Sequence, residues 1–198
     1  MRLIGISGTN GSGKDTIGKL LAEKFGYMFI PATDMLRDEL AKRGLPPARE
    51  HMRELSAEWR RESGLGVLID KAISQFETSH KVYAGLAVAS LRNPGEADRI
   101  HQLGGVLVWV DADPRFRYDR LQASTHSRDA ERAVDDRKTF GQFLSEEAEE
   151  MHRQPGSDEA TLDMSSVKSK ADIFLENTYS NMDDLSAAIN EKIIKTFS

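Results

Sequence analysis

The chain has 198 residues, enough for one domain with a substantial core. Hydrophobic residues at 39% and charged residues at 30% exclude a disordered chain, and no apolar run reaches the roughly 20 residues needed to span a bilayer. A net charge of -5 argues against a general nucleic-acid binder, and the absence of cysteine excludes disulfides and thiolate metal sites. A cytoplasmic, monomeric protein without membrane or nucleic-acid partners is therefore expected. The opening MRLIGISG runs directly into a glycine-rich motif and is not read as a signal peptide.

In chain order, RLIGIS is a short buried strand. KDTIGKLLAEKFG sets Ile17, Leu20, Leu21 and Phe25 on one helical stripe and stops at Gly26. YMFIP is a second strand. TDMLRDELAKRG reads as a helix opened by Thr33 or Asp34 and closed by Gly44. AREHMRELSAEWRRESG is a charged helix with Met52, Leu55 and Trp59 at helical spacing, and another helix runs from about Val67 to Phe76. KVYAGLAVAS is the third strand, Asn93-Pro94 opens the next helix, and GVLVWVDA is the fourth strand. DPRFRYDRLQAS is a helix with Asp113 before it and Pro114 at its first position. From Thr125 to about Asp163 the chain is polar with little core signal; ADIFLEN is a fifth strand, and MDDLSAAINEKIIKTF an amphipathic helix. Strands alternating with helices predict a parallel sheet covered on both faces, with ligands at the carboxyl ends of the strands.

The stretch GTNGSGKDT, Gly8 to Thr16, lies between a predicted strand and a predicted helix. Glycines at Gly8, Gly11 and Gly13 let the backbone wrap a phosphate and turn its N–H groups inward. The helix start adds its positive dipole end, and Lys14 a cation for the outer phosphates. The pattern G-x-x-x-x-G-K-[ST] asks for a hydroxyl after the lysine; here Asp15 stands there and the hydroxyl follows at Thr16. A carboxylate aimed at a triphosphate is repelled unless a cation intervenes, which favours Asp15 as a helix-start anion over a metal-shell ligand.

These residues resemble the nucleoside monophosphate kinases of the P-loop superfamily. Adenylate kinases carry G-x-P-G-x-G-K-G-T with the threonine displaced as here, and GSGKDT is similar to the G-K-D-T of phage-type deoxynucleoside monophosphate kinases. The resemblance implies a P-loop three-layer α/β sandwich spanning residues 1–198, with a five-stranded parallel sheet, a helical acceptor-binding insertion at about 33–78 and a small lid at about 123–160. It implies ATP and Mg²⁺ as cofactors and a small-molecule phosphate acceptor as partner. Gly8, Asn10, Gly11, Ser12, Gly13, Lys14, Asp15 and Thr16 would then hold the nucleotide, and Thr16 and Asp34 the metal with its water shell.

ATDMLRDEL resembles the family's T-G-D-[ML]-L-R, by which Arg37 would clamp the acceptor phosphate. SLRNPGEADRIHQLGG is similar to a phage-type stretch that gives Arg92 a role between donor and acceptor phosphates, although Ser90 stands where that family has aspartate. VWVDADPRFRYDRL resembles the fourth strand and following helix, giving Arg120 to the donor nucleotide; LENTYS, with Asn177, resembles the adenine-gripping loop. Arg128, Arg132 and Arg137 fall in the expected lid, where phosphoryl transfer needs cations around the equatorial oxygens. Trp59, Arg60 and Arg61 are either packing residues or a wall for an acceptor base. The expected reaction is transfer of the γ-phosphoryl of ATP to a nucleoside or deoxynucleoside monophosphate. Dephospho-CoA kinases also place an aspartate after the second strand, so a dephospho-CoA or other small-molecule kinase is the alternative. A slowly turning ATP-binding regulatory module is a third reading, favoured by Ser90.

Overall fold

The computed structural model describes residues 1–124, 138–153 and 156–197. Its centre is a five-stranded, all-parallel sheet in the order β2-β3-β1-β4-β5. The strands are β1 (Arg2–Gly8), β2 (Tyr27–Pro31), β3 (Gly85–Ala89), β4 (Val106–Asp111) and β5 (Ile173–Glu176). Helix α1 (Lys14–Phe25) follows β1, and α2 (Ala32–Lys42), α3 (Arg49–Ser63) and α4 (Val67–Glu77) fill the connection from β2 to β3. Helices α5 (Pro94–Gln102) and α6 (Pro114–Ser124) flank β4. Next come α7 (Phe140–Met151) and the short α8 (Met164–Ser169); α9 (Met182–Lys192) and a 3₁₀ turn, Ile194–Phe197, complete the described chain.

The strands are apolar on both faces because both faces are covered. Their alternation divides the core in two: Leu86, Val88, Leu107 and Trp109 pack under α2, α3, α4 and α5, while Ala87, Ala89, Val108 and Val110 face α1 and α9. On the second side α1 lies close enough to β2 that a Cβ at Gly18 would sit 2.0 Å from the Phe29 ring. The α/β class and the five-stranded parallel sheet are as the alternating pattern predicts.

Local boundaries differ in places. No side chain caps α2: Pro31, still extended, is its N-cap, so Thr33 and Asp34 lie inside the first turn. The strand feeds straight into the helix and leaves no loop residue to act as a cap. The third strand begins only at Gly85, because Lys81–Ala84 makes no ladder with β1 or β2. Asn93 forms a full capping box with Glu96, with Pro94 at the first helical position. The polar stretch after α6 contributes more core than its composition suggests: Phe143, Ala160, Met164 and Val167 are buried. Trp59 is likewise a packing residue, nine-tenths buried in the core beneath the α2–α4 layer.

Parallel strands bring all their carboxyl ends to one edge. The turns after β1, β3, β4 and β5 meet there, with β1 in the middle of the sheet, and a cleft opens above them.

Candidate active site

The loop between β1 and α1 is held from behind by its carbonyls. Thr9 O accepts from Lys14 Nζ (2.7 Å), Ser12 Oγ (2.8 Å) and the Ser12 N–H (3.3 Å). Asn10 O accepts from Arg117 Nη1 at 3.1 Å, and Ser12 O from Asn177 Nδ2 at 2.8 Å. In a trans peptide the next N–H points opposite to its carbonyl. Carbonyls of Thr9, Asn10 and Ser12 turned into the protein therefore turn the N–H groups of Asn10, Gly11 and Gly13 toward the cleft. This winding needs left-handed backbone at Gly11 (φ 77°) and Gly13 (φ 95°). A Cβ at Gly11 would meet Arg117 O at 2.7 Å, and one at Gly13 would meet Asn177 Nδ2 at 2.4 Å. The cradle is closed by the chain that holds it.

Lys14 is half-buried, and its ammonium is pushed down from 10.5 to about 8, first by burial and then by the Arg92 guanidinium; Asp15 and Glu150 oppose the shift. Asp111, at the end of β4, accepts from Thr9 Oγ1 at 2.7 Å and so fixes the loop to the sheet edge. Arg117, 2% exposed, ties the loop to Ala112 O (2.8 Å) and to Glu147 of α7, whose carboxylate it grips with two nitrogens. Arg120 donates from Nη2 to Asn177 O at 3.1 Å, and its buried Nη1 finds no partner among the described residues.

The cleft, about 970 Å³, is lined on one side by Asn10, Gly11, Gly13, Lys14, Asp15, Thr16, Arg120 and Asn177. On the other side stand Arg37, Arg49, Arg53, Arg60, Ser90, Arg92 and Glu150. Ser90 turns the chain out of β3 with left-handed backbone, φ 68°, a conformation uncommon for a residue with a Cβ. Just beyond it, the backbone N–H of Arg92 donates to Glu96 Oε2 at 2.7 Å. Glu96 is fully buried, and its other oxygen accepts from Arg60 Nε (3.0 Å) and Nη2 (2.7 Å). Arg60 thus spends its guanidinium on structure. The outer guanidiniums converge on α7: Arg92 Nη1 and Arg53 Nη2 each donate at 2.6 Å to a different oxygen of Glu150. Burial would raise that carboxyl, but Arg92 and then Arg53 and Arg49 outweigh it and hold it at about 2.

The structure brings Lys14, Asp15, Thr16, Arg37, Arg92, Arg120 and Asn177 to one cleft. Asp34 does not join them: it is exposed, paired with Arg37 at 2.7 Å, and absent from the cleft wall. Arg61 is an exposed partner of Asp158. Arg128, Arg132 and Arg137 lie outside the described residues. Arg53, Arg117 and Glu150 were not singled out in sequence, because each is one charge among many in a charged stretch; Asp111 was missed although a carboxylate closing an apolar strand is a signal that could have found it.

Whether a nucleotide fits is answered by the loop itself: inward N–H groups, a lysine and the unpartnered Arg120 Nη1 form a seat for a polyphosphate. For a metal the donors are sparser. No cluster of three or more carboxylate or histidine side chains exists among the described residues, so a hard cation would rest on Thr16, ligand phosphates and water.

A UPF0200 protein of Pyrobaculum aerophilum is 23% identical over 197 residues, covering 98% of both chains. Another UPF0200 protein, from Pyrococcus abyssi, is 26% identical over 154 residues, 76% of this chain and 78% of that one. Among solved structures, shikimate kinase from Bacteroides thetaiotaomicron superposes with a TM-score of 0.59 at 13% identity, covering 96% of this chain and 97% of that one. Shikimate kinase from Acinetobacter baumannii, in complex with shikimate, gives 0.56 at 16% identity, with 99% and 94% covered. These structures share the P-loop kinase fold. With its phosphate loop inside the match and residues 4–141 fitting the model described as an AAA domain, more than half of its length, the chain belongs to that AAA domain family.

Proposed function

We propose that this protein is an ATP-dependent small-molecule kinase acting on an anionic acceptor. The observation that carries the reading is the shared cleft: a phosphate loop with Lys14 on one wall, and Arg37, Arg53 and Arg92 on the facing wall. Bound ATP would supply the transferable phosphoryl group, and Mg²⁺ with its water shell would offset part of the charge. The chain's own groups do the rest. The loop N–H groups and Lys14 bind the donor phosphates and present positive charge where it grows in the transition state. Arg37 and Arg92 orient an acceptor oxyanion toward them. At neutral pH an ammonium with its midpoint near 8 is still mostly charged, as this role needs.

Within the class, a nucleoside or deoxynucleoside monophosphate is one acceptor, supported by Arg37 after the second strand and Arg92 after the third. Dephospho-CoA or another small anionic metabolite is the broader alternative. It is supported by Ser90 in place of the expected acid, and by the likeness in fold to kinases of a non-nucleotide acceptor. Asp34 would serve a metal shell only after leaving Arg37. The experiment is an ATP-consumption screen with nucleoside monophosphates, dephospho-CoA, small hydroxy acids and no acceptor, with the phosphorylated product identified. Acceptor-dependent ADP release supports the kinase. ATP binding without stimulated turnover by any of them would favour the regulatory module.

A further inference from the structure

Glu150, its side chain 11% exposed, is a carboxylate held between two guanidiniums in the cleft. The two donors come from separate elements: Arg53 from the middle of α3, Arg92 from the turn after β3. Each takes one oxygen of the same carboxylate at 2.6 Å. Two arginines fixed around one planar oxyanion form a ready recognition geometry for any oxyanion. The seat is rigid on one side, because Glu96 holds the backbone N–H groups of Arg92 and Asn93. It is open on the other, because the Arg53 side chain is 43% exposed.

Resting on the kinase reading above, we propose that Arg53 and Arg92 form the seat for the acceptor's own oxyanion, phosphate or carboxylate. In the free protein Glu150 occupies that seat as an internal stand-in, which the acceptor displaces. Three further observations support this. First, one carboxylate against two guanidiniums leaves a positive charge over, and Lys14 and Arg37 line the same cleft. Second, α7 does not depend on Glu150 for its position: Glu147 is gripped by Arg117, Glu146 by Lys138 at 2.6 Å and Arg49 at 3.3 Å, and Phe143 is buried. Release of one carboxylate therefore leaves the helix attached. Third, the Arg92, Arg53 and Arg49 guanidiniums hold the Glu150 carboxyl well below the usual carboxylate range, so it fills the seat as a charged oxyanion.

A resident competitor reduces apparent affinity by the fraction of time it leaves the seat. The test uses the full chain, first saturated with the non-hydrolysable analogue AMP-PNP and Mg²⁺ so that the phosphate loop is filled. Inorganic phosphate and, separately, acetate are then titrated calorimetrically into wild type, Glu150→Gln, Arg53→Ala and the double variant. Glu150→Gln is expected to bind at least one of the two anions about tenfold more tightly than wild type, as for a stand-in that holds the seat about nine-tenths of the time. Arg53→Ala is expected to weaken that anion, and the double variant to lose the gain. The anion that gains names the acceptor's oxyanion. A purely structural role for Glu150 would alter stability and leave anion affinity where it was. Unchanged affinity for both anions in Glu150→Gln, with AMP-PNP still bound, overturns the proposal. If that variant does not fold, Arg53→Ala decides, and unchanged anion affinity there overturns it equally. Absence of AMP-PNP binding by wild type would refute the kinase reading instead; the same ranking of variants, measured with acetate on the free protein, then judges the seat.

Discussion

The two walls of the cleft restrain their cations by different means. On the loop wall Lys14 rests on the backbone carbonyl of Thr9. Dipoles of that kind hold a charge in place without cancelling it. On the facing wall Arg53, Arg92 and Arg60 are paired with the carboxylates of Glu150 and Glu96, which cancel most of the charge they hold. The difference teaches that Lys14 keeps its charge as built, whereas the arginines of the facing wall would regain theirs in full only if an anion competed with those carboxylates.

The most disruptive way to break this contrast is to remove the buried half of the facing wall. Arg60→Met strands the fully buried Glu96 carboxylate, and loss of one partner of such a pair costs about 3–5 kcal/mol. Urea unfolding should show that loss, and Arg60→Met with Glu96→Gln should recover part of it. A smaller loss than about 1 kcal/mol would mean that Glu96 finds other partners. Next in size is Lys14→Ala, expected to lower turnover by ~10²–10³ while the unfolding midpoint hardly moves. Near wild-type turnover in the purified variant would remove Lys14 from the active site.

Arg37→Ala probes the facing wall alone. Loss of a charge-assisted contact of ~1.5–3 kcal/mol should raise the acceptor KM by roughly ten- to a hundredfold with ATP affinity nearly constant. Arg37→Lys should restore only part, since an ammonium lacks the fork. Equal losses for both substrates would show that the two walls are not separable.

A pH series sharpens the loop wall. Because Lys14 titrates at about 8 in the free protein, AMP-PNP affinity should be level below that pH and fall by about tenfold per unit above it. For folding the sign is opposite: the unfolded chain holds the extra proton between about 8 and 10.5, so this group adds stability as pH rises through that window. Flat affinity to pH 10 in calorimetric titrations would place the ammonium outside the ligand's reach. The smallest effect belongs to Asp15→Ser. An exposed first-turn anion should change turnover by less than tenfold, a barrier difference of ~1.4 kcal/mol. A drop of several hundredfold that changes with the metal supplied would make Asp15 part of the metal shell.

The loop wall was readable in the sequence because its signals are contiguous: a strand, three glycines, a lysine and a helix. The helix start at Asn93-Pro94 was equally local. The facing wall was not, because its meaning lies in pairs that no local window contains. Arg60 meets Glu96 across 36 positions and Arg92 meets Glu150 across 58. Until the fold brings them together, each is one charge in a stretch whose default is a solvated face. Asp34 is a local match of another kind, whose carboxylate the structure pairs with Arg37 of the cleft lining.

One contact has a consequence for biosynthesis. The inward turn of Ser12 O depends on Asn177, 165 residues further along the chain, and the Asn177 carbonyl in turn accepts from Arg120. On the ribosome the glycine-rich segment emerges well before its last clamp, which follows β5 and can dock only when that strand has left the exit tunnel and joined the edge of the sheet. A nascent chain therefore carries the whole motif long before it carries the clamp that completes the loop.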